Sequence, residues 1–155
     1  MESIGGPVSP VTPIFTDLVR VETRLYNALS ARLRDERDVT LGQFEFLELI
    51  DRIPGCRVLD IVADVAITVG AVSKAVDRLV AAGWVVRIPH PQDRRSSVLR
   101  LTPEGEKTLS ACRPIVEDEL AALTASVPKA DLAKVGATMA ALRSTLEAGS
   151  TGQQS

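Results

Sequence analysis

The sequence predicts a mainly α-helical protein with a small β-hairpin, and three observations point to this fold class. Apolar residues recur at helical spacing over most of the chain. Two β-rich runs, residues 84–88 and 97–101, flank a polar segment, as the strands of a hairpin do. A helical pattern ends at Gly83, immediately before the first of these runs. Together they predict a helix that runs directly into a hairpin with a basic tip.

The N-terminal third of the sequence predicts an arm followed by two helices. Residues 1–12 are rich in proline and glycine and lack helical periodicity, which indicates a flexible arm. A helix is predicted from about Pro13 to Arg37, and at about 1.5 Å per residue it is long enough to suggest partner contacts. Thr40 and Gln43 have the spacing of a capping box and predict a second helix. We assign residues 13–53 to dimerisation and support.

The middle of the chain has the pattern of a helix-turn-helix. A short helix is predicted from about Leu59 to Val65, and Thr68 is a good N-cap for a helix over residues 68–81. So short a turn between two helices is typical of a helix-turn-helix, although an ordinary αα corner is the alternative. The hairpin that follows favours a winged helix-turn-helix lobe over residues 54–102. In such a lobe the second helix enters the DNA major groove, and the hairpin reaches the neighbouring backbone or minor groove.

The C-terminal third predicts two further helices. Thr102 and Pro103 have the order of an N-cap and a first helical residue, and Pro114 should kink the helix that they start. The last helix, about Lys129 to Ala148, has apolar residues alternately three and four positions apart, a spacing typical of helix-on-helix packing. Residues 103–148 are therefore predicted dimerisation helices, and residues 149–155 a disordered tail. The residues expected at a homodimer interface are Leu18, Leu132, Val135, Met139, Leu142 and Leu146.

Charge and composition restrict the class of function. The net charge is −2, but residues 69–100 hold six bases and two acids, which gives them +4 and leaves −6 for the rest. A basic segment on an acidic body indicates a face that meets phosphate. One histidine, no metal-ligand spacing, no phosphate loop and no nucleophile motif argue against an enzyme and against a cofactor. Without a signal peptide or a long apolar run we expect a cytoplasmic protein, with Cys56 and Cys112 as reduced thiols.

Several motifs carry a resemblance to a known family. They are Asp60-Ile61-Val62, the segments 67–74, 76–79 and 83–87, Asp93-Arg94-Arg95, and Leu101-Thr102-Pro103-Glu104-Gly105. In order and spacing, from about residue 40 to 110, they resemble the MarR family of bacterial transcriptional regulators. The resemblance implies a homodimeric winged-helix repressor of its own or a neighbouring operon. It also implies a pseudo-palindromic double-stranded operator, and release by a small aromatic or phenolic effector or by oxidation.

The resemblance also assigns roles to individual residues. Asp93 would hold the hairpin tip, and Arg95 would enter the minor groove, where a narrow groove concentrates negative potential. For Arg78 the alternative is an ion pair with Asp77 or Asp93. For His90 we expect an exposed side chain, with a phosphate contact as the alternative. The residues expected to contact DNA are Thr68, Gly70, Ser73, Lys74, Arg78, Arg94 and Arg95.

The switch that would release DNA is less defined. Positions that match the family's effector cleft lie near Phe15, Tyr26, Phe44 and Phe46, for which a place in the core is the competing interpretation. A redox switch through Cys56 or Cys112 is an alternative, although oxidant-sensing relatives carry a cysteine near the start of the first helix and this chain has none there. A winged-helix module for protein contacts is a further alternative, but it would be expected to have an apolar or acidic hairpin.

Overall fold

The computed structural model describes residues 9–151, with no description of the Arg94, Ser150 and Thr151 side chains, and confirms the predicted fold class. Its described part divides into two compact units, one up to Leu120 and one from Ala121 onward. Among these residues no helix is both long and apolar enough to cross a membrane. The elements are α1 (Val11–Arg37), α2 (Leu41–Arg52), α3 (Val58–Val65), α4 (Val69–Ala81), β1 (Val85–His90), β2 (Asp93–Leu101), α5 (Pro103–Leu123) and α6 (Lys129–Thr151).

The predicted starts of α2 and α4, and the predicted end of α4, are confirmed by their capping bonds. Thr40 and Gln43 form the complete capping box at the start of α2. The Thr68 hydroxyl accepts a hydrogen bond from Ala71 N at the start of α4. At the end of α4, Gly83 has a φ of +77°, and its N–H donates to the carbonyl of Val80. This left-handed residue turns the chain sharply from α4 into β1.

The core of the first unit is aliphatic and has α2 at its centre. Buried residues occur on most sides of α2, which packs against α1, α4 and β2. The helix-turn-helix contributes Ile61, Val72, Val76 and Leu79 to the same core, and α5 contributes Leu109, Cys112 and Ile115. Because one face of α4 is held by this core, its opposite face is turned to solvent.

The hairpin is anchored to the start of α5 by a close backbone contact. Thr102 N donates to the carbonyl oxygen of Trp84 over 3.0 Å, and the Thr102 hydroxyl donates to Gly83 O over 2.6 Å. The same hydroxyl accepts from Gly105 N over 3.0 Å, which makes Thr102 the predicted cap of α5. A Cβ atom at Gly105 would lie 2.0 Å from Trp84 O, so only glycine fits there.

The hairpin differs from the prediction in the extent of its strands. The strands were expected to end at Ile88 and to resume at Ser97, but they run to His90 and from Asp93. Only two residues, 91 and 92, separate them, and the register shifts between Pro89 and His90. Pro89 is tolerated because each strand of a two-stranded sheet has an open edge, where a missing N–H need not cost a ladder bond. We call this hairpin, residues 85–101, the wing.

The ends of the chain also differ from the prediction. Helix α1 begins at Val11, inside the predicted arm, and Pro13 is its third residue, where its missing N–H would have no helical partner. Helix α6 runs to Thr151, so Gly149 is helical instead of belonging to the predicted tail. The remainder of the arm, residues 1–8, and of the tail, residues 152–155, lies outside the described part of the chain.

Candidate nucleic-acid interface

One face of α4 carries exposed polar and basic side chains. Lys74 and Arg78 are exposed and Ser73 is half-buried, whereas Val72 and Val76 on the other side are buried. Lys74 and Arg78 are one helical turn apart and therefore neighbours on the helix surface. The structure thus places the two predicted cations of α4 together on its solvent face.

The first turn of α4 has two further predicted contacts. Thr68 is exposed, and because its oxygen only accepts the Ala71 amide, its hydroxyl hydrogen can still donate to a phosphate or base. Gly70 is exposed, and no atom lies within 4 Å of a Cβ built there. Packing within the fold therefore does not require glycine at this position.

The wing tip is held by two short-range hydrogen bonds. The Asp93 carboxylate accepts from Arg95 N over 3.0 Å, as expected for a residue that holds the tip. The ring Nδ1 of His90 accepts from Gln92 N over 3.2 Å. His90 is therefore half-buried and engaged in the turn, which corrects the prediction of an exposed side chain. Arg95 is exposed on β2, and Arg94 follows Asp93 on the same strand, not in the predicted loop.

The acidic neighbours of Arg78 are committed elsewhere. Asp77 forms an ion pair with Arg87, with 2.7 Å between the Asp77 oxygen and an Arg87 guanidinium nitrogen. Asp93 accepts from the Arg95 backbone. Within residues 9–151 Arg78 forms no ion pair with Asp77 or Asp93, so the alternative pairing of Arg78 is wrong. The Asp77–Arg87 pair was not predicted from the sequence, because it joins two elements across a turn.

The helices behind the lobe are joined by two arginine networks. Arg113 of α5 contacts Glu48 and Asp51 of α2, each over 2.6 Å, and these hydrogen bonds raise the pKa of Arg113 above its ordinary value. Arg32 of α1 contacts Glu119 of α5 over 2.7 Å, and also Glu36 on its own helix. The networks are partly exposed, so they orient the helices more than they stabilise the fold.

The two cysteines are buried and free, as expected for reduced thiols. Burial, with a smaller contribution from Asp60, raises the pKa of Cys56 to about 11. Burial also raises the pKa of Cys112, although Arg37 acts in the opposite direction. Because the thiolate is the reactive species, both sites are poorly suited to oxidant sensing. The structure therefore argues against the redox-switched alternative.

We expect neither thiol to react with an aromatic disulfide reagent at pH 8 in the folded protein. Both should react at once after unfolding in urea, because exposure restores an ordinary thiol pKa. The measurement is the absorbance of the released thiol over time, with reduced glutathione as the reactive control. Rapid labelling of one cysteine in the native protein would instead restore a redox switch at that site.

The four predicted effector residues do not converge on one pocket. Phe44 and Phe46 are buried in the core, and two positions apart on α2 they point about 160° away from each other. Phe15 and Tyr26 are exposed on α1, but eleven positions separate them, which is about 16 Å along a helix. A shallow cleft of about 210 Å³ between α2, β2 and the start of α5 is lined by none of the four. The aromatic character of these four residues was therefore not enough to separate core positions from surface positions.

The residues predicted for dimerisation present exposed apolar surface in each unit. On α6 the side chains of Val135, Met139, Leu142 and Leu146 are 36–63% exposed, and Leu132 is half-buried. In the first unit, Leu18 is half-buried on α1, beside residues such as Ile14 and Phe15 that are more than 60% exposed. Contiguous exposed apolar faces of this kind are typical of protein–protein contacts.

Comparison with known proteins identifies the family. The model of the MarR family matches residues 39–97. The multiple antibiotic resistance protein MarR of Salmonella typhimurium is 34% identical over 76 residues, 48% of this chain and 52% of that protein, so the match spans about half of the relative. An HTH-type transcriptional regulator of Bacillus cereus is 30% identical over 101 residues, 65% of this chain and 66% of that protein. The solved structure of the transcriptional repressor CouR bound to a 23-mer DNA duplex has a TM-score of 0.78 and 25% identity, and the alignment covers 92% of this chain and 99% of CouR. The chain belongs to the MarR family of transcriptional regulators and has their winged-helix fold.

Proposed function

We propose that this protein is a sequence-specific, double-stranded-DNA-binding transcriptional regulator, and that it represses its own or a neighbouring operon. The observation that carries the proposal is the exposed Lys74 and Arg78 on α4 beside a wing whose Arg95 is braced by Asp93. The similarity to CouR, a transcriptional repressor bound to a DNA duplex, supports DNA binding and repression, and the family resemblance supports the choice of operon.

The proposed complex uses the two elements in different grooves. Helix α4 enters the major groove, where Arg78 can donate two hydrogen bonds to a guanine edge. Lys74 and the Thr68 hydroxyl bind nearby phosphates or bases, and Gly70 admits the backbone of the duplex. Arg95 reaches the minor groove from the wing, and Arg94 is a phosphate contact.

We propose that the DNA-binding form is a homodimer. The support is the exposed apolar surface of α6 and, separately, that of α1, each of which a second copy would cover. A two-fold dimer presents two copies of α4, so the operator would be pseudo-palindromic, with half-sites about 10 bp apart.

We further propose that a small aromatic or phenolic effector releases the DNA. The support is the family resemblance together with the exposed aromatic side chains of Phe15 and Tyr26, which a ligand or the second copy would cover. A coupling of about 1–3 kcal/mol between effector and DNA would suffice. A panel of phenols and aromatic acids, added to the preformed protein–DNA complex, tests this by the loss of fluorescence anisotropy of the DNA.

Replacing Arg95 by alanine should weaken operator binding by about 1–3 kcal/mol, because a minor-groove contact of the wing is lost. The slope of log affinity against log salt should fall by about one, since one phosphate-region charge is removed. Both quantities are measured by anisotropy on a duplex selected from a random pool by the wild-type protein.

The matched control is Arg20→Ala, which removes an exposed arginine from α1. It changes the net charge equally but leaves the proposed interface intact. Wild-type affinity in Arg95→Ala, or an equal loss in both variants, would contradict the assignment of the wing.

A further inference from the structure

The ion pair between Asp77 and Arg87 joins the two elements of the proposed DNA interface. Asp77 lies on α4 between Lys74 and Arg78, and Arg87 lies on β1, opposite Leu99 of β2. An Arg87 guanidinium nitrogen donates a 2.7 Å hydrogen bond to an Asp77 carboxylate oxygen, which links α4 to the wing. The ion pair therefore lies at the point where the orientation of the wing relative to α4 is determined.

Neither the stability of the fold nor simple electrostatics explains why an aspartate occupies position 77. The Asp77 side chain is 67% exposed and that of Arg87 32%, and such a pair adds little to stability. An acid beside two DNA-facing cations also repels phosphate, which by itself lowers affinity for DNA.

We propose that Asp77 is a positioning residue for DNA recognition, which through Arg87 holds the wing at the spacing from α4 that specific DNA binding requires. This rests on the proposed function. Arg95 is four residues from Leu99 along β2, about 13 Å, so a small rotation at the base of the wing displaces its tip considerably. Because Asp77 is paired with Arg87, it does not pair with Arg78, and Arg78 remains available to contact DNA.

Electrostatics and positioning predict opposite changes in DNA affinity for Asp77→Asn. Electrostatics alone predicts tighter DNA binding, because a negative charge leaves the interface. Positioning predicts that binding to the selected duplex falls roughly tenfold, since part of the wing's contribution is lost. Binding to a random duplex, which needs no fixed geometry, should be unchanged or slightly tighter.

Two further variants show whether Asp77 acts through Arg87 and the wing. The exchange Asp77→Arg with Arg87→Asp restores an ion pair with reversed polarity and should recover most of the affinity. In an Arg95→Ala background, Asp77→Asn should cause little further loss, because the contact that it positions is already gone.

The experiment measures anisotropy of the selected and random duplexes with wild type, Asp77→Asn, Arg87→Gln, the exchanged pair and the Arg95→Ala double variant. Thermal unfolding, followed by the fluorescence of Trp84, the only tryptophan, checks the fold at the wing base. Selective, pair-dependent loss in folded variants is the result expected.

Several results would overturn the inference. They are unchanged or tighter binding by Asp77→Asn, no recovery in the exchanged pair, or the full tenfold loss persisting without Arg95. An unfolded Asp77→Asn would assign the pair to the fold and overturn it as well. Failure of the wild type to prefer any selected duplex would instead overturn the proposed function, and the inference with it, before any variant is compared.

Discussion

Replacing Met139 and Leu142 by glutamate should convert the protein into a monomer that binds its operator at least about 100-fold more weakly, because binding at two half-sites is lost. The two side chains are 36% and 45% exposed on the apolar seam of α6. If a second copy covers this seam, each glutamate would have to be buried without a partner, which costs several kcal/mol.

The measurement combines light scattering, for the mass in solution, with anisotropy on the selected duplex. The matched control is Ala137→Glu with Ala141→Glu, which adds the same charges to the exposed opposite side of α6. The control should remain a dimer with nearly unchanged affinity. An intact dimer of the seam variant would mean that the interface lies elsewhere.

Replacing Gly105 by alanine should destabilise the protein by about 3 kcal/mol, because the added methyl group overpacks a backbone contact. The Cβ would lie 2.0 Å from Trp84 O and 2.9 Å from Trp84 C. Both are backbone atoms, and the same carbonyl oxygen accepts the Thr102 amide. The start of α5 must therefore move away from the wing base, and this hydrogen bond is strained or lost.

The matched control is Gly42→Ala on α2, where no atom lies within 4 Å of the new methyl group. Helix propensity alone should make that variant neutral or more stable by up to about 1 kcal/mol. Urea unfolding curves give both values. Equal stability of Gly105→Ala and wild type would contradict the prediction, because it would show that the contact between Gly105 and Trp84 tolerates a methyl group.

Local signals in the sequence were sufficient to predict most elements of the fold. The capping box at Thr40, the cap at Thr68 and the turn at Gly83 each depend on bonds between residues at most five positions apart. The wing was found from its β-rich runs, but its strands extend further because Pro89 is tolerated at an open edge. The buried face of α4 followed from its periodicity, whereas the residues expected to contact DNA were assigned from the family resemblance.

Contacts between elements could not be predicted in the same way. The pairing of Asp77 with Arg87, and the approach of Gly105 to Trp84, depend on how α4, the wing and α5 pack. The same limit applies to aromatic residues, since Phe44 is in the core and Phe15 is exposed, although both lie in apolar helical patterns. A single sequence shows which face of a helix is apolar but not what covers it.

Sequence-specific DNA binding is tested most directly by the anisotropy of fluorescent duplexes that cover the region upstream of the protein's own gene. The protein is titrated over a salt series, with unlabelled random duplex as competitor. We predict tight binding to one segment that resists the competitor, with an affinity that falls steeply as salt rises. Binding to every segment no tighter than to random DNA, together with no enrichment from a random pool, would contradict it.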